Sequence, residues 1–358
     1  MVTLRELLEE MTQKRASDLH ITAGVPPEFR IDGHITPSEH EVLSPEATAG
    51  LAYSVMSDDQ RKRFETTREL DFSFGVKGLS RFRANVFLQR GVISMAVRQI
   101  PYEILPLDKL GLPAVVREFT NLHKGLVLVT GPTGSGKSTT LASMLDKINS
   151  TRQAHIITVE DPIEYIHHHR KSIINQREVG ADTNSFPTAL KYVLRQDPDI
   201  ILIGEMRDLE TVEAAMTIAE TGHLVFATLH TNSTYEAVNR IVDVFPADQQ
   251  RQILTQLAFT LQGVVTQQLI RRSHGVGRVM VAEVLVVTPA IRAVIREGKV
   301  HQIYTLMQAG QKFGMQTMNQ GLLQAVLEKA LTPEDALERS TDRQELEAML
   351  EKVVRAAA

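Results

Sequence analysis

The sequence of 358 residues contains no cysteine, few aromatic residues and no long apolar run. Without cysteine the chain forms neither a disulfide nor a thiolate metal site, which fits a reducing cytosol. No segment approaches the roughly 18 consecutive apolar residues that cross a membrane, so we expect any membrane role to be peripheral. Acidic side chains lie between the leucines of the first ten residues, unlike a signal peptide, and we expect no cleaved leader.

An excess of charge of one sign is also missing. The 39 lysines and arginines face 43 aspartates and glutamates, which gives a formal net charge of −4. This balance provides no general attraction to polyanions, and the aromatic clusters that stack on single-stranded nucleic acid are absent. We therefore expect no nucleic-acid partner. The apolar share of 43% is ordinary for a globular protein, and the length suits two domains.

What the chain does contain is a glycine-rich stretch near its middle, Gly131-Pro-Thr-Gly-Ser-Gly-Lys-Ser138, which fits the pattern G-x-x-x-x-G-K-[ST]. An apolar run over 125–130 predicts a buried strand before it, and 139–149 predicts a helix after it. In this order the loop and the helix N-terminus can surround a β-phosphate. The predicted phosphate-binding residues are Gly131, Thr133, Gly134, Ser135, Gly136, Lys137, Ser138 and Thr139. A chance glycine-rich turn is the alternative.

Two residues of this loop have predicted chemical roles. Lys137 would reach the β- and γ-phosphates of a nucleotide, and the hydroxyl of Ser138 would bind Mg²⁺.

From residue 124 onward, apolar strand-like runs alternate with helical patterns. This rhythm predicts a parallel sheet with helices on both faces, in which active residues collect at the carboxyl ends of the strands. The predicted strands are 127–130, 155–159, 200–204, 224–229 and 279–287.

Polar side chains stand where three of these strands end. Glu160 and Glu164 follow the second strand, Glu205 follows the third and His230 the fourth. Glu205 is placed to anchor Mg²⁺, and a further carboxylate could deprotonate the attacking water. His230, with His223 as a second candidate, could donate to the phosphate. Individually each has a structural alternative, such as a turn cap or a buried histidine.

The first hundred residues predict a small α+β domain. Its last two strands, 80–88 and 92–98, are joined by a turn, and a two-residue turn at Arg90-Gly91 would place Arg83 opposite Arg98. Arg81 would lie on the same face. Like charges placed opposite one another are destabilising unless an anion lies between them. The arginines are therefore either gathered around an anion or exposed to solvent.

Prolines between residues 99 and 123 mark a boundary. We expect an N-terminal domain over 1–100, a linker over 101–123, a core with the phosphate loop over 124–288 and a helical region over 289–358. The run of three histidines at 167–169 is interpreted as a solvated loop rather than a metal site, because consecutive residues point in different directions.

The motifs together resemble those of the type II/IV secretion ATPase superfamily, and the likeness runs from Ser17 to beyond Thr317. The stretches 131–138, 157–164, 197–208 and 221–231 resemble its Walker A, Asp-box, Walker B and His-box motifs. Within the superfamily the chain is most similar to the retraction ATPases of type IV pili, and 289–297 resembles their C-terminal helix motif, although Ala293 stands where asparagine is expected. Ordinary packing, with Arg292 and Arg296 in solvent, is the alternative for this helix. The four-cysteine zinc element of assembly ATPases is excluded.

The resemblance implies a PAS-like N-terminal domain followed by a RecA-like P-loop ATPase domain with a helical C-terminal region. The family's catalytic glutamate corresponds to Glu164, its Walker B glutamate to Glu205 and its His-box histidine to His230. Glu160 and His223 are also expected to contact the nucleotide. Ser138 and Glu205 are expected to form the Mg²⁺ site. The family arginines that reach nucleotide from the N-terminal sheet correspond to Arg81, Arg83 and Arg98.

The function implied is an ATP-hydrolysing, homohexameric motor that depolymerises pili during twitching motility. Expected partners are ATP, Mg²⁺, an inner-membrane platform protein and, indirectly, pilin, which would place the motor at the cytoplasmic face of the inner membrane. One alternative is an accessory, non-hydrolysing ring component, against which Lys137, Glu164 and Glu205 count. The other is a RecA-like motor on nucleic acid, which the acidic balance disfavours.

Overall fold

The computed structural model describes residues 2–31, 33–100, 103–274 and 277–357, so residues 101 and 102 of the expected linker lie outside the described residues. The chain divides into two units. The first is Met1–Glu103 with Glu164–Ile166, and the second is Ile104–Ile163 with His167–Ala358.

The first unit is an antiparallel sheet with helices packed on one of its faces. The helices are α1 (Leu4–Gln13), α2 (Pro45–Tyr53) and α3 (Asp58–Thr67). The strands are β1 (Asp18–Ile21), β2 (Glu28–Ile31), β3 (His34–Pro37), β4 (Glu69–Val76), β5 (Ser80–Gln89) and β6 (Val92–Ile100). The strands lie in the order β3-β2-β1-β6-β5-β4, and alternate residues of each central strand enter the apolar core below the helices.

The helices of this unit begin at side-chain caps. Thr3 and Glu6 form a capping box at the start of α1, whose leucines at 4, 7 and 8 are buried. Ser44 caps α2, and Ser57 forms a second capping box with Gln60 at the start of α3.

The hairpin between β5 and β6 has the predicted two-residue turn. Arg90 and Gly91 have φ angles of 50° and 80°, and Gln89 pairs with Val92. Positive φ at both central residues is typical of the type I′ turn, whose twist matches that of the strands. The register therefore confirms that Arg83 lies directly opposite Arg98.

The second unit is built on a larger sheet. Its strands are β7 (Gly125–Thr130), β8 (His155–Glu160), β9 (Ile173–Glu178), β10 (Ile200–Ile203), β11 (Leu224–Leu229), β12 (Leu261–Arg271) and β13 (Arg278–Val286). They lie in the order β13-β12-β7-β11-β10-β8-β9, and all neighbours are parallel except β13, which is antiparallel to β12. The prediction that this last strand joins a parallel sheet is wrong, because the connection between Arg271 and Arg278 is too short for a crossover.

Helices cover both faces of this sheet. They are α4 (Val115–Glu118), α5 (Lys137–Thr151), α6 (Phe186–Val193), α7 (Leu209–Glu220), α8 (Thr234–Asp243), α9 (Gln250–Thr260), α10 (Pro289–Arg296), α11 (Ile303–Gln308), α12 (Met318–Leu327), α13 (Pro333–Arg339) and α14 (Arg343–Ala357). Leu126 and Leu128 of β7 pack towards α7, α8 and α9, whereas Val127 and Val129 pack towards α5. The continuous apolar strand pattern is therefore explained by burial on two sides.

One arginine of α10 is bound rather than solvated. Arg292 donates to the carbonyl oxygens of Ala258 (3.3 Å) and Phe259 (3.1 Å), and to Oε1 of Gln262 at 3.2 Å. The guanidinium group of Arg292 thus supplies hydrogen-bond donors and positive charge to the carbonyl oxygens at the C-terminus of α9. The interpretation that Arg292 lies in solvent is therefore wrong.

Among the described residues, no helix combines the length and the apolar character needed to cross a membrane.

Candidate active site

The glycine-rich loop lies between the end of β7 and the start of α5, as predicted. Gly131, Gly134 and Gly136 have φ angles of 138°, 79° and 90°, a region that favours glycine. The Nζ atom of Lys137 donates to the carbonyl oxygens of Gly131 (2.9 Å) and Pro132 (3.1 Å). The ammonium group is thus folded back over the beginning of the loop.

The first turn of α5 is suited to an anion. Lys137, Ser138 and Thr139 are its first three residues, so their N–H groups point out of the helix N-terminus. The helix is 15 residues long, and its partial positive charge adds to that of Lys137. Glycines that leave room, the N–H groups of a helix N-terminus and a lysine together fit a polyphosphate.

Polar side chains converge along the same edge of the sheet. Because β8, β10 and β11 are adjacent and parallel, their carboxyl ends bring Glu160, Glu205 and His230 to one side of the sheet. His230 Nε2 lies 3.2 Å from Glu205 Oε1, and the same oxygen accepts a hydrogen bond from Nε of Arg207. Glu205 is thus held between a histidine and an arginine.

Glu160 is held by one residue of its own strand, β8, and by one residue of the neighbouring strand, β9. Its Oε1 accepts from Thr158 Oγ1 at 2.6 Å and from Gln176 Nε2 at 3.2 Å. Glu164 is exposed and belongs to the first unit. Its role as catalytic base stays a prediction.

His223 lies at the opposite edge of the sheet. It precedes β11, and its carbonyl oxygen accepts from the N–H of Gly125 at the start of β7. Its Nδ1 lies 3.1 Å from Thr221 Oγ1 and 3.2 Å from the Ile218 carbonyl oxygen. A six-residue strand spans roughly 20 Å, so the structure does not bring His223 to the phosphate loop of its own chain.

The three arginines expected to reach nucleotide have partners within their own sheet. Arg98 Nε donates to Asp18 Oδ1 at 2.7 Å, Arg83 Nε lies 3.6 Å from Asp71 Oδ1, and Arg81 donates to Ser73 Oγ at 2.5 Å. Asp18 and Asp71 therefore offset part of the repulsion between these arginines, a possibility besides solvation and a bound anion. Whether these arginines contact nucleotide stays a prediction.

The histidine run at 167–169 is only partly solvated. His168 and His169 are exposed, but His167 is 9% exposed, and burial lowers its pKa to about 4. Its backbone N–H donates to Gln176 Oε1 at 2.8 Å. The interpretation as a solvated loop is therefore wrong for His167, which is neutral at physiological pH. Nothing in the described part of the chain groups three or more potential metal ligands.

Glu283 is a buried acid that the sequence interpretation missed. It stands on β13, is 1% exposed, and accepts from the N–H of Thr234 at 2.7 Å, the Oγ1 of Thr234 at 2.8 Å and the N–H of Met318 at 3.2 Å. Thr234 begins α8, just after His230, and Met318 begins α12. Burial raises the pKa of Glu283, while these hydrogen bonds oppose the rise.

We expect Glu283→Ala to lower the free energy of unfolding by about 3 kcal/mol, because two helix N-termini lose their acceptor. Thermal unfolding at neutral pH would show a melting temperature about 6–12 °C lower. Glu338→Ala, at an exposed position of α13, is the control and should unfold like the unchanged chain. An unaltered melting temperature for Glu283→Ala would mean that Glu283 does not hold the two helices.

Comparison with known proteins agrees with this fold. The model of the type II/IV secretion system protein family matches residues 1–338, so the chain belongs to that family. It is 48% identical over 337 residues to the type IV pilus retraction ATPase PilT of Pseudomonas aeruginosa, covering 94% of this chain and 98% of that protein. It is 44% identical over 338 residues to a twitching motility protein of Neisseria gonorrhoeae, covering 93% of this chain and 90% of that protein.

Among solved structures, that of the pilus retraction motor PilT with bound ADP is similar with a TM-score of 0.92 and 53% identity. The match covers 97% of this chain and 100% of that one. These similarities confirm the predicted family and fold class, an N-terminal sheet domain followed by an ATPase domain.

Proposed function

We propose that this chain is an ATP-hydrolysing motor that drives retraction of type IV pili. The observation that carries the proposal is the edge of the second sheet. That edge carries the glycine loop with its lysine, a helix N-terminus, two carboxylates and a histidine. The chain that carries them is similar over nearly its whole length to a retraction ATPase. Phosphoryl transfer needs mainly positioning and neutralisation of charge, and these groups supply both.

Each group has a definite place in the proposed reaction. Lys137 and the first N–H groups of α5 hold the β- and γ-phosphates, and Glu164 accepts the proton of the attacking water. His230 donates to the terminal phosphate from beside Glu205.

Magnesium fits the donors at this edge. The hydroxyl of Ser138 and the carboxylate of Glu205 are hard oxygen ligands, and Mg²⁺ is commonly held by few protein groups together with phosphates and waters. Bound there, Mg²⁺ would neutralise charge on the phosphates. Arg207, whose side chain is 76% exposed, can leave Glu205 without disturbing packing.

The working assembly in this proposal is a homohexameric ring. Arg81, Arg83 and Arg98 sense nucleotide, so that ATP and ADP favour different arrangements of the two domains. The ring acts on an inner-membrane platform protein, and on pilin through it, at the cytoplasmic face of the membrane. This part of the proposal is supported by the family resemblance of the motifs.

The direction of the motor can be tested in cells that lack the gene for this chain. We expect such cells to carry more and longer pili and to lose twitching, because assembly continues without retraction. Electron microscopy and a motility assay measure both, and re-expression of the unchanged chain is the control. Bald cells would instead assign the chain to pilus assembly.

A further inference from the structure

A residue outside the predicted motifs lies directly against the phosphate loop. β12 is parallel to β7 and pairs Thr266 with Thr130, the last residue of β7. The two hydroxyl oxygens are 2.6 Å apart. Because β12 continues to Arg271, its residues after Thr266 extend beyond the end of β7 and flank the loop. The first of them is Gln267, which is 0% exposed.

The amide of Gln267 holds one peptide group of the loop. Its Nε2 donates to the carbonyl oxygen of Ser135 at 2.8 Å. That carbonyl shares a planar trans peptide with the N–H of Gly136, in which the two groups point in opposite directions. When the carbonyl of Ser135 faces Gln267, the N–H of Gly136 must face away from Gln267. Phosphate-binding loops require this orientation, with N–H groups turned towards the ligand.

The glycines of the motif allow the loop to approach Gln267 closely. A Cβ atom at Gly131 would lie 2.4 Å from the Gln267 carbonyl oxygen, a distance that real Cβ atoms do not adopt. A Cβ atom at Gly136 would lie 3.2 Å from Nε2 of the same glutamine. The backbone and the side chain of Gln267 therefore both form the floor of the loop.

The oxygen of the Gln267 side-chain amide indicates why glutamine occupies this position. Oε1 of Gln267 is buried and has no hydrogen-bond partner among the described residues. An unpaired buried amide oxygen disfavours folding, whereas leucine or methionine would fill the same space without that penalty. What glutamine supplies here, and leucine or methionine does not, is the N–H donor to Ser135.

We propose that Gln267 is a positioning residue that orients the Ser135–Gly136 peptide for phosphate binding. The inference rests on the proposed function, because it assumes that this loop binds the nucleotide. Gln267 reaches the ligand only through the loop, so its loss weakens binding of both ATP and ADP.

The test compares Gln267→Leu with Gln268→Leu in the full chain. Gln268 is the next residue of β12, so its side chain points to the opposite face of the sheet. Titration with a fluorescent ADP analogue should show binding about tenfold weaker for Gln267→Leu, equivalent to roughly 1.4 kcal/mol. Gln268→Leu should bind as the unchanged chain does.

Melting curves without and with ADP separate positioning from stability. Gln267→Leu should show a smaller ADP-induced rise in melting temperature than Gln268→Leu. Unchanged ADP affinity in a folded Gln267→Leu would overturn the inference, even with a lowered melting temperature. If Gln267→Leu does not fold, Gln267→Met, which keeps an unbranched side chain, replaces it. Weakened ADP binding in that variant would support the inference, and unchanged ADP affinity would overturn it.

Lys137→Ala, measured in the same titration, distinguishes this inference from the function on which it rests. If Lys137→Ala loses binding and Gln267→Leu retains it, only the role of Gln267 is wrong. If Lys137→Ala retains full binding, the loop is not the nucleotide site and both proposals fall.

Discussion

Lys137→Ala should reduce ATP binding and phosphate release at least about 100-fold. A charge-assisted hydrogen bond contributes roughly 1.5–3 kcal/mol, and one ammonium group would serve two phosphates. The same ammonium donates to the carbonyl oxygens of Gly131 and Pro132, so its removal also loosens the start of the loop. Titration with a nucleotide analogue and a phosphate-release assay measure the two losses.

The matched control is Lys191→Ala, which removes an exposed lysine of α6. Both variants change the net charge equally, so a difference between them reports position rather than charge. Turnover in Lys137→Ala equal to that of the control would mean that the nucleotide binds elsewhere.

Strands buried on both faces were predictable because their apolar runs are continuous. Two other strands were not predicted. β9 has the polar sequence Asn-Gln-Arg-Glu over 175–178, as an edge strand tolerates, because it pairs only with β8. β12 begins at Leu261, immediately after α9 ends at Thr260, so no turn marks its start.

Site residues were predictable where their place relative to a strand in the sequence decides on which side of the sheet they lie. Glu160, Glu205 and His230 each stand at or just after the end of a parallel strand, and such strand ends share one edge of a sheet. The same rule applied to His223 places it at the other edge, because it precedes its strand. The sequence already contained that signal.

Partnerships between distant residues were not predictable. Gln267 and Ser135 are 132 positions apart, and Arg98 and Asp18 are 80 apart. Neither pair belongs to a local pattern, and each contact depends on strand register. The pairing of Arg98 with Asp18 also changes the chemistry expected of the arginines, because a nucleotide would have to compete with a carboxylate already in place.

Glu160, the last residue of β8, and Glu164, four residues later, should differ in their effect on hydrolysis. Glu160 already accepts hydrogen bonds from Thr158 and Gln176, so its carboxylate is engaged in holding the strand end. Glu164 is exposed and lies beyond that anchor. A general base needs a carboxylate within reach of water, and general-base catalysis contributes roughly 10²–10⁴-fold.

We therefore expect Glu164→Gln to lower the rate of phosphate release at least about 100-fold while ATP affinity stays within about twofold. The amide keeps the shape of the carboxylate but accepts no proton, so the loss falls on kcat. Glu213→Gln, on the exposed side of α7, is the control. If Glu164→Gln turned over like that control while Glu160→Gln did not, Glu160 would be the base. If neither change slowed hydrolysis, neither acid would be the base, and the water would have to be activated from another part of the site.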